Sequence, residues 1–518
     1  MSANFMDIKP PSDRPNPLIN RRQKRQNIGD FKNTRELKQS EIEGGRTEPG
    51  SLKNIDPFDL GSAEINQPAD TLPKRHWWYW FKPSYLRRNF SPRRFVKRTV
   101  FLSGLTVLAI GLFFAFKLFF VAQNIIDRDS GGALALQGNI DPSQLKGEGD
   151  GRVNILLIGE GGDQHDNGSH LSDTIIVLSI DPFNSEAALL SLPRDMRVDI
   201  PSKWRTKINA AYALGENDGF EEGNYPKGGA GLLQKTVEQT LDIPVHYYIR
   251  VDFQGLEQAV AAVDDINLTI AETICDYHIA WQFNFSCIEA GTTSLNSQQA
   301  LFYARTRNTA RSDFDRGERQ REVLIALKDK IFSVGTLANP IKIAELLEAA
   351  GRHVRTNLQV PGDLLRLNEI GQNIPANKIL SAEIVSYLSN AGDGSTDYIP
   401  RSGDFGEIQK YVRSIFTDGL IKKEAATVDI INGSGQASLA KTQADLLRSY
   451  GYVINQVSDA PTSDYVATKL YDLSGGSAPF TRRYLEQRFN TLAVNNSLPT
   501  GLSSQAKFVI ILGKDATR

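Results

Sequence analysis

Val153-Asn154-Ile155-Leu156-Leu157-Ile158, closed by Gly159, is an almost continuous apolar run of strand length. A run without polar alternation suits a strand buried on both faces. Working outward, further strands are expected at 174–180, 187–192 and 246–251. Helical spacing falls between and after them, at about 207–214, 231–241 and 253–263. A long helix over about 316–332 carries Val323, Leu324, Leu327 and Ile331 at helical intervals, and shorter helices follow near 341–350 and 361–373. Strands mixed with helices in this order predict an α/β or α+β sandwich whose sheet is covered on both faces.

At 518 residues the chain exceeds one typical core. After a polar break at 422–425, Val428-Asp429-Ile430-Ile431-Asn432-Gly433 reads as a strand and turn, 437–450 as an amphipathic helix and 452–457 as a strand. A helix at 482–489 and a closing strand, Phe508-Val509-Ile510-Ile511-Leu512, complete a second, small α/β domain over 426–516. The body before it spans 151–420.

Toward the N-terminus, Thr99 to Phe116 is an uncharged stretch of 18 residues, and Leu118 to Ala122 extends it beyond Lys117. At about 1.5 Å per residue this helix spans a hydrocarbon core of roughly 30 Å. Lys82, Arg87, Arg88, Arg93, Arg94, Lys97 and Arg98 precede it with no acid among them, whereas Asp127, Arg128 and Asp129 follow. The positive-inside rule then places residues 1–98 in the cytoplasm, a transmembrane helix at 99–122, and the body outside the cell membrane. A buried helix of a soluble domain and a cleaved signal peptide are the competing readings. The first does not explain the charge asymmetry of the flanks. The second does not suit an apolar run that begins about a hundred residues into the chain. Trp77, Trp78, Tyr79 and Trp80 suit either the headgroup level or a local cluster.

Residues 1–98 hold 20 Lys/Arg against 11 Asp/Glu, so a formal net charge of −1 conceals a basic end and an acidic body. An acidic body argues against nucleic acid as its partner, and a basic end favours a membrane surface. Residues 1 to about 75 are polar and lack hydrophobic periodicity, which predicts disorder. Residues 123–150, rich in Gly and Asp, read as a linker. The two cysteines, Cys275 and Cys287, lie in the part assigned outside, where one disulfide closing a short loop is expected. A zinc site is disfavoured because His278 between them leaves a ligand lacking.

The stretch that carries chemistry is Tyr303-Ala304-Arg305-Thr306-Arg307, continuing through Asp313-Phe314-Asp315-Arg316-Gly317-Glu318-Arg319-Gln320. On a strand Arg305 and Arg307 share a face, and on a helix Arg316 and Gln320 do. With a short loop between, these arginines can converge on one anion, and the planar guanidinium fork suits phosphate. A solvated basic surface with local ion pairs is the plainer alternative. Earlier, Gly159-Glu160-Gly161-Gly162-Asp163, Ser172-Asp173-Thr174 and Ser191-Leu192-Pro193-Arg194-Asp195 each lie at a strand end. Mg²⁺ takes one or two carboxylates and completes its shell with water and phosphate oxygens, so carboxylates beside arginines suggest a pyrophosphate site. Neither G-x-S-x-G nor a clear partner histidine supports a Ser-His-Asp hydrolase.

Leu190-Ser191-Leu192-Pro193-Arg194-Asp195, Lys207-Ile208-Asn209-Ala210-Ala211-Tyr212-Ala213, Val251-Asp252-Phe253 and the stretch from Leu295 to Gln320 together resemble the LytR-CpsA-Psr family, in the family's order. Asn432-Gly433-Ser434-Gly435 and the helix after it resemble the LytR C-terminal domain. The resemblance implies an α/β/α sandwich with a mixed central sheet. It implies a Mg-dependent phosphotransferase, with Mn²⁺ as the alternative metal. Such an enzyme joins a glycopolymer from a polyprenyl-pyrophosphate carrier to peptidoglycan through a phosphodiester, in cell wall assembly. By motif, Asp173 and Asp163 would hold the metal. Arg194, Arg305, Arg307 and Arg316 would grip pyrophosphate, Asp313 would orient Arg316, and Lys207 and Gln320 would assist. Two departures stand out. Leu171, preceded by His170, replaces the family's usual arginine two residues before Asp173, and Gly161-Gly162-Asp163 replaces Gly-x-Asp after the first strand. His170 is then the substitute donor, if there is one, and Asp166 competes with Asp163. A hydrolase of the same lipid and a non-catalytic envelope-binding protein are the alternative functions.

Overall fold

Apolar side chains on both sides of the first strand force it into the middle of the molecule, and the computed structural model places it there. It describes residues 92–125, 132–160, 171–359, 362–495 and 497–517. The strands of the body, in chain order, are β1 (Val153–Glu160), β2 (Ser172–Asp181), β3 (Glu186–Ser191), β4 (Arg197–Asp199), β5 (Arg205–Lys207), β6 (Tyr247–Asp252), β7 (Ile266–Asn267), β8 (Ile274–Cys275), β9 (Cys287–Ile288), β10 (Ser294–Leu295), β11 (Val354–Thr356), β12 (Ile379–Glu383), β13 (Leu388–Asn390) and β14 (Tyr398–Pro400). Six of them make one mixed sheet in the order β11-β6-β1-β2-β3-β12. Within it β1–β6 and β3–β12 run parallel and the other neighbours antiparallel.

Period-two geometry splits β1 between two cores. Leu156 and Ile158 face one side, with Ile175, Val177 and Leu190, under the helices Ala210–Asp218, Gly229–Leu241 and Gly406–Ile415. Val153 and Ile155 face the other, with Tyr247, Leu358 and Ile370. A third cluster joins the helices Phe253–Ala262, Ser297–Arg305 and Asp313–Ile331 around Phe302, Val323 and Leu327. The body is thus a sheet with helices on both faces.

The C-terminal domain is a four-stranded sheet, β16-β15-β18-β17, formed by β15 (Thr427–Asn432), β16 (Val453–Asp459), β17 (Lys469–Asp472) and β18 (Phe508–Leu512). Its helices Leu439–Ser449 and Pro479–Arg488 bury Ala444, Leu447, Tyr484 and Leu485 against it.

Two expectations need correction, and two strands were not foreseen. The linker is not free chain over its described part: Ala133, Ala135 and Leu136 pack into the body's core, and Ile140 and Leu145 into that of the C-terminal domain. A high Gly and Asp content masked these few well-placed apolar side chains. Lys207, read as opening a helix, ends the edge strand β5, and the helix starts only at Ala210. The edge strands β11 and β12 escaped notice because three to five residues of mixed polarity show no usable alternation.

One helix among the described residues is long and apolar enough to cross a membrane. It runs Pro92–Ile125, with Phe95–Lys117 as its apolar span and none of that span buried in the protein. Lys117, near its far end, pairs with Glu348 at 3.2 Å.

Candidate functional site

Four separate segments deliver the site. Asp173 enters β2, opposite the end of β1. Arg194 sits in the turn after β3, which is closed by the Met196 N–H donating to the Pro193 carbonyl at 3.0 Å. Arg305 ends the helix Ser297–Arg305, and Arg307 lies two residues beyond it. Asp313, Arg316 and Gln320 occupy the first turns of the helix Asp313–Ile331.

The expected strand for Arg305 and Arg307 is therefore a helix end and a loop. Asn296 and Gln299 form a reciprocal capping box that starts a helix there, and Ala300, Leu301, Phe302, Tyr303 and Ala304 are all buried along it. The arginines still converge because Arg319 and Gln320 cap that helix from outside. The Arg319 Nε donates to the Tyr303 carbonyl at 3.0 Å, its Nη2 to the Thr306 carbonyl, and the Gln320 amide to the Ala304 carbonyl at 3.2 Å. Carbonyls at a helix C-terminus lack partners within the helix, so cationic and amide donors suit them. Gln320 still lines the cavity beside Asp173, Arg194 and Arg316, above a floor of Ile175, Leu192 and Ile384.

Asp313 is the hub. Its Oδ1 lies 3.1 Å from Arg307 Nε, and its Oδ2 lies 3.1 Å from Arg316 Nη2 and 3.4 Å from Arg194 Nε. Arg194 reaches on to Asp173 at 2.5 Å, and Arg316 Nη2 donates to the Asp173 carbonyl at 2.9 Å. Arg305 stands beside this group. It donates to Gln282 at 2.5 Å and packs 4.4 Å over the Phe253 ring. Arg194, Arg307 and Arg316 thus converge on Asp313, and Arg194 also reaches Asp173 and Asp195. Burial pulls the Arg316 pKa down to about 10; Asp313 offsets part of this, while Arg307 and Arg194 add to it. The Arg316 Nε is buried with no hydrogen-bond partner among the described residues. A buried guanidinium N–H without a partner, beside two further arginines, is a donor that an anion would complete.

Lys207 is one step removed. It pairs with Asp195 at 2.7 Å and with Asp397 at 3.3 Å, and Asp195 in turn lies 3.5 Å from Arg194. Asp163, with its competitor Asp166 and with His170, lies outside the described residues. As for a metal, both oxygens of Asp313 and of Asp195 are held by cations. Asp173 gives only Oδ1 to Arg194, and its side chain is 32% exposed. Among the described residues no three acidic, His or Cys side chains cluster. Asp173 therefore fits a divalent cation that takes one carboxylate and fills its shell with phosphate and water.

Cys275 and Cys287 are joined by a disulfide, as directly opposed residues of β8 and β9. Arg319, counted in the sequence among the arginines that converge on an anion, is instead spent on the Tyr303 and Thr306 carbonyls, and Asp276 and Gln282 were not foreseen. For Arg319 a signal existed: it stands three residues from Arg316 and four from Val323, on the stripe that becomes buried.

Residues 124–414 match the model of the LytR_cpsA_psr family, and residues 425–515 match the one described as LytR cell envelope-related transcriptional attenuator. Similar proteins include the polyisoprenyl-teichoic acid–peptidoglycan teichoic acid transferase TagU of Oceanobacillus iheyensis, 36% identical over 209 residues, covering 40% of this chain and 59% of that protein. Another is TagV of Bacillus subtilis, a transferase of the same description, 31% identical over 244 residues, covering 46% and 58%. The chain thus spans about three fifths of the length of these relatives. The crystal structure of B. subtilis TagV is 29% identical, with a TM-score of 0.41, covering 51% of this chain and 97% of that one. A family model matched over more than half of the sequence and across all the segments that build the arginine cluster leaves one assignment: the chain belongs to the LytR-CpsA-Psr family.

Proposed function

We propose that this protein transfers a glycopolymer from a polyprenyl-pyrophosphate carrier to peptidoglycan, forming a phosphodiester. The observation that carries the reading is the hub at Asp313, where Arg194, Arg307 and Arg316 meet and the buried Arg316 Nε has no hydrogen-bond partner among the described residues. Membership of the family and the teichoic acid transferase activity named for its relatives support the same substrate class.

On this reading an acceptor hydroxyl attacks the phosphorus on the glycan side of the pyrophosphate and gives up its proton to a site carboxylate or to water, the bond to the bridging oxygen breaks, and the lipid monophosphate leaves. Negative charge grows on that bridging oxygen. Fixed arginines stabilise it without reorganising, because the fold has already oriented them. Arg316 and Arg194 hold the phosphate nearest Asp173, Arg305 and Arg307 approach from the neighbouring helix end, and Lys207 waits at the rim. Mg²⁺, or Mn²⁺ in its place, would sit on Asp173 and supply further charge neutralisation at the phosphate oxygens. The basic flank before the apolar helix favours a cytoplasmic N-terminus and a body held outside, on the side where peptidoglycan lies.

Arg305→Ala and Arg316→Ala are each expected to lower transfer from a lipid-pyrophosphate donor to peptidoglycan by on the order of 100-fold or more while the protein stays folded. Wild-type rates in both variants would overturn the site assignment. Release of lipid monophosphate with no acceptor product would make the enzyme a hydrolase instead.

A further inference from the structure

The pair Arg305 and Arg307 is held from one side by a segment that the family reading does not use. β8 and β9 form a short antiparallel ladder closed by Cys275–Cys287, and the residues between them fold back over the end of the helix Ser297–Arg305. Phe283 and Phe285 meet the buried ring of Phe302 on that helix at 5.3 and 5.2 Å, which seats the segment. From this seat two polar side chains reach the arginines. Gln282 Oε1 accepts from Arg305 Nη1 at 2.5 Å. Asp276, only 3% exposed, accepts the Arg307 backbone N–H at 3.1 Å through one carboxylate oxygen and the His278 N–H at 3.0 Å through the other. The Cys275 carbonyl accepts from Asn308 at 3.0 Å, so the loop after Arg307 is tied to the same strand.

We infer that Asp276 and Gln282 are positioning residues, carried on the disulfide-closed segment, that aim Arg305 and Arg307 at the phosphates. The inference rests on the function proposed above. Its physical basis is entropy. A free arginine has many rotamers, and an arginine beyond a helix end also has a mobile backbone, so ordering both before the ligand arrives removes a cost otherwise met on binding. Gln282 restrains the Arg305 side chain and Asp276 the Arg307 backbone. The disulfide keeps Asp276 in register, supported by its own N–H donating to the Ser286 carbonyl at 2.9 Å.

The test is calorimetric titration of the full-length chain in detergent with inorganic pyrophosphate. Gln282→Ala and Asp276→Asn are each expected to weaken binding by roughly three- to tenfold. The loss should vanish in the matching background: Gln282→Ala should add nothing to Arg305→Ala, and Asp276→Asn nothing to Arg307→Ala. A residue whose variant binds as the wild type does, or whose loss adds fully to that of its arginine, is not a positioning residue, and the inference falls for it. If Arg305→Ala and Arg307→Ala also bind as the wild type does, the proposed site itself is wrong. Gln282 lies in a short surface turn, so its variant is the safeguard should Asp276→Asn fail to fold.

Discussion

Arg316 holds its charge where little water reaches it, with 7% of its surface exposed. Burying an ion costs several kcal/mol unless its partners repay it. Here Arg316 shares Asp313 with Arg307 and Arg194 and adds the Asp173 carbonyl, while its Nε has no partner among the described residues, so the cost is offset only in part. A second residue shows the same physics with the opposite sign of use. The His246 ring accepts the Asn154 N–H at Nδ1, at 3.1 Å, and burial, helped by the charge of Lys146, holds its pKa down to about 4. The unfolded chain takes up a proton below about pH 6.5, and the folded one refuses it until about pH 4. The stabilisation is therefore complete above about pH 6.5 and is lost as the pH falls toward 4. His246→Asn keeps an acceptor but does not titrate. In denaturant titrations at pH 7 and pH 4.5 it should lose about 1 to 3 kcal/mol less stability than the wild type. Equal losses would show that the ring is protonated in the folded protein.

Among the elements, the helix Asp313–Ile331 is the one on which most depends. Its first turn supplies Asp313 and Arg316, its second turn caps the helix Ser297–Arg305 through Arg319 and Gln320, and its later turns bury Val323 and Leu327. Acidic residues near its start and Lys328 and Lys330 near its end also suit the helix dipole. The arginine cluster and the packing thus share one rigid rod. Arg319→Met retains most of the buried volume but leaves the Tyr303 and Thr306 carbonyls without their donor. It should cost about 2 to 4 kcal/mol in urea unfolding, and pyrophosphate affinity should fall with it. A change under about 0.5 kcal/mol would mean that water replaces the guanidinium.

At the scale of the whole molecule, Asp418 joins the parts. This fully enclosed carboxylate accepts from the N–H groups of Gly149 and Gly151 ahead of β1, from Leu420 and Ile421 of its own helix Gly419–Glu424, and from the Tyr484 hydroxyl of the C-terminal domain. Gly151 must be glycine for this, since a Cβ there would meet the carboxylate at 2.3 Å. Nearby, Glu148 accepts from Arg488 at 2.6 Å and from Tyr452 at 2.9 Å. The C-terminal domain is therefore fastened to the body and to the chain that leads back toward the apolar helix. Asp418→Ala strands several donors at once and should destabilise the protein by about 3 kcal/mol or more. Limited proteolysis should then cut near residue 425, and an unchanged digestion pattern would show that the apolar contacts hold the domains together without it.

Local chemistry was enough to read much of this. The apolar run at 153–158 implied a central strand, the charge-free stretch from Thr99 to Phe116 a membrane-length helix, and the spacing of Arg316 and Gln320 one face of a helix. Each is a property of neighbours in sequence, so no partner is needed to reveal it. Where Arg305 and Arg307 would point was not legible, because the capping box at Asn296 and the external cap from Arg319 decide it, and the latter comes from another helix. The same holds for the stretch 132–150, whose apolar side chains acquire meaning only against two cores. From the sequence came the central strands, the membrane-length helix and the charged groups at hand. The tertiary structure alone decided which of those charges share Asp313, because such contacts depend on how distant segments pack.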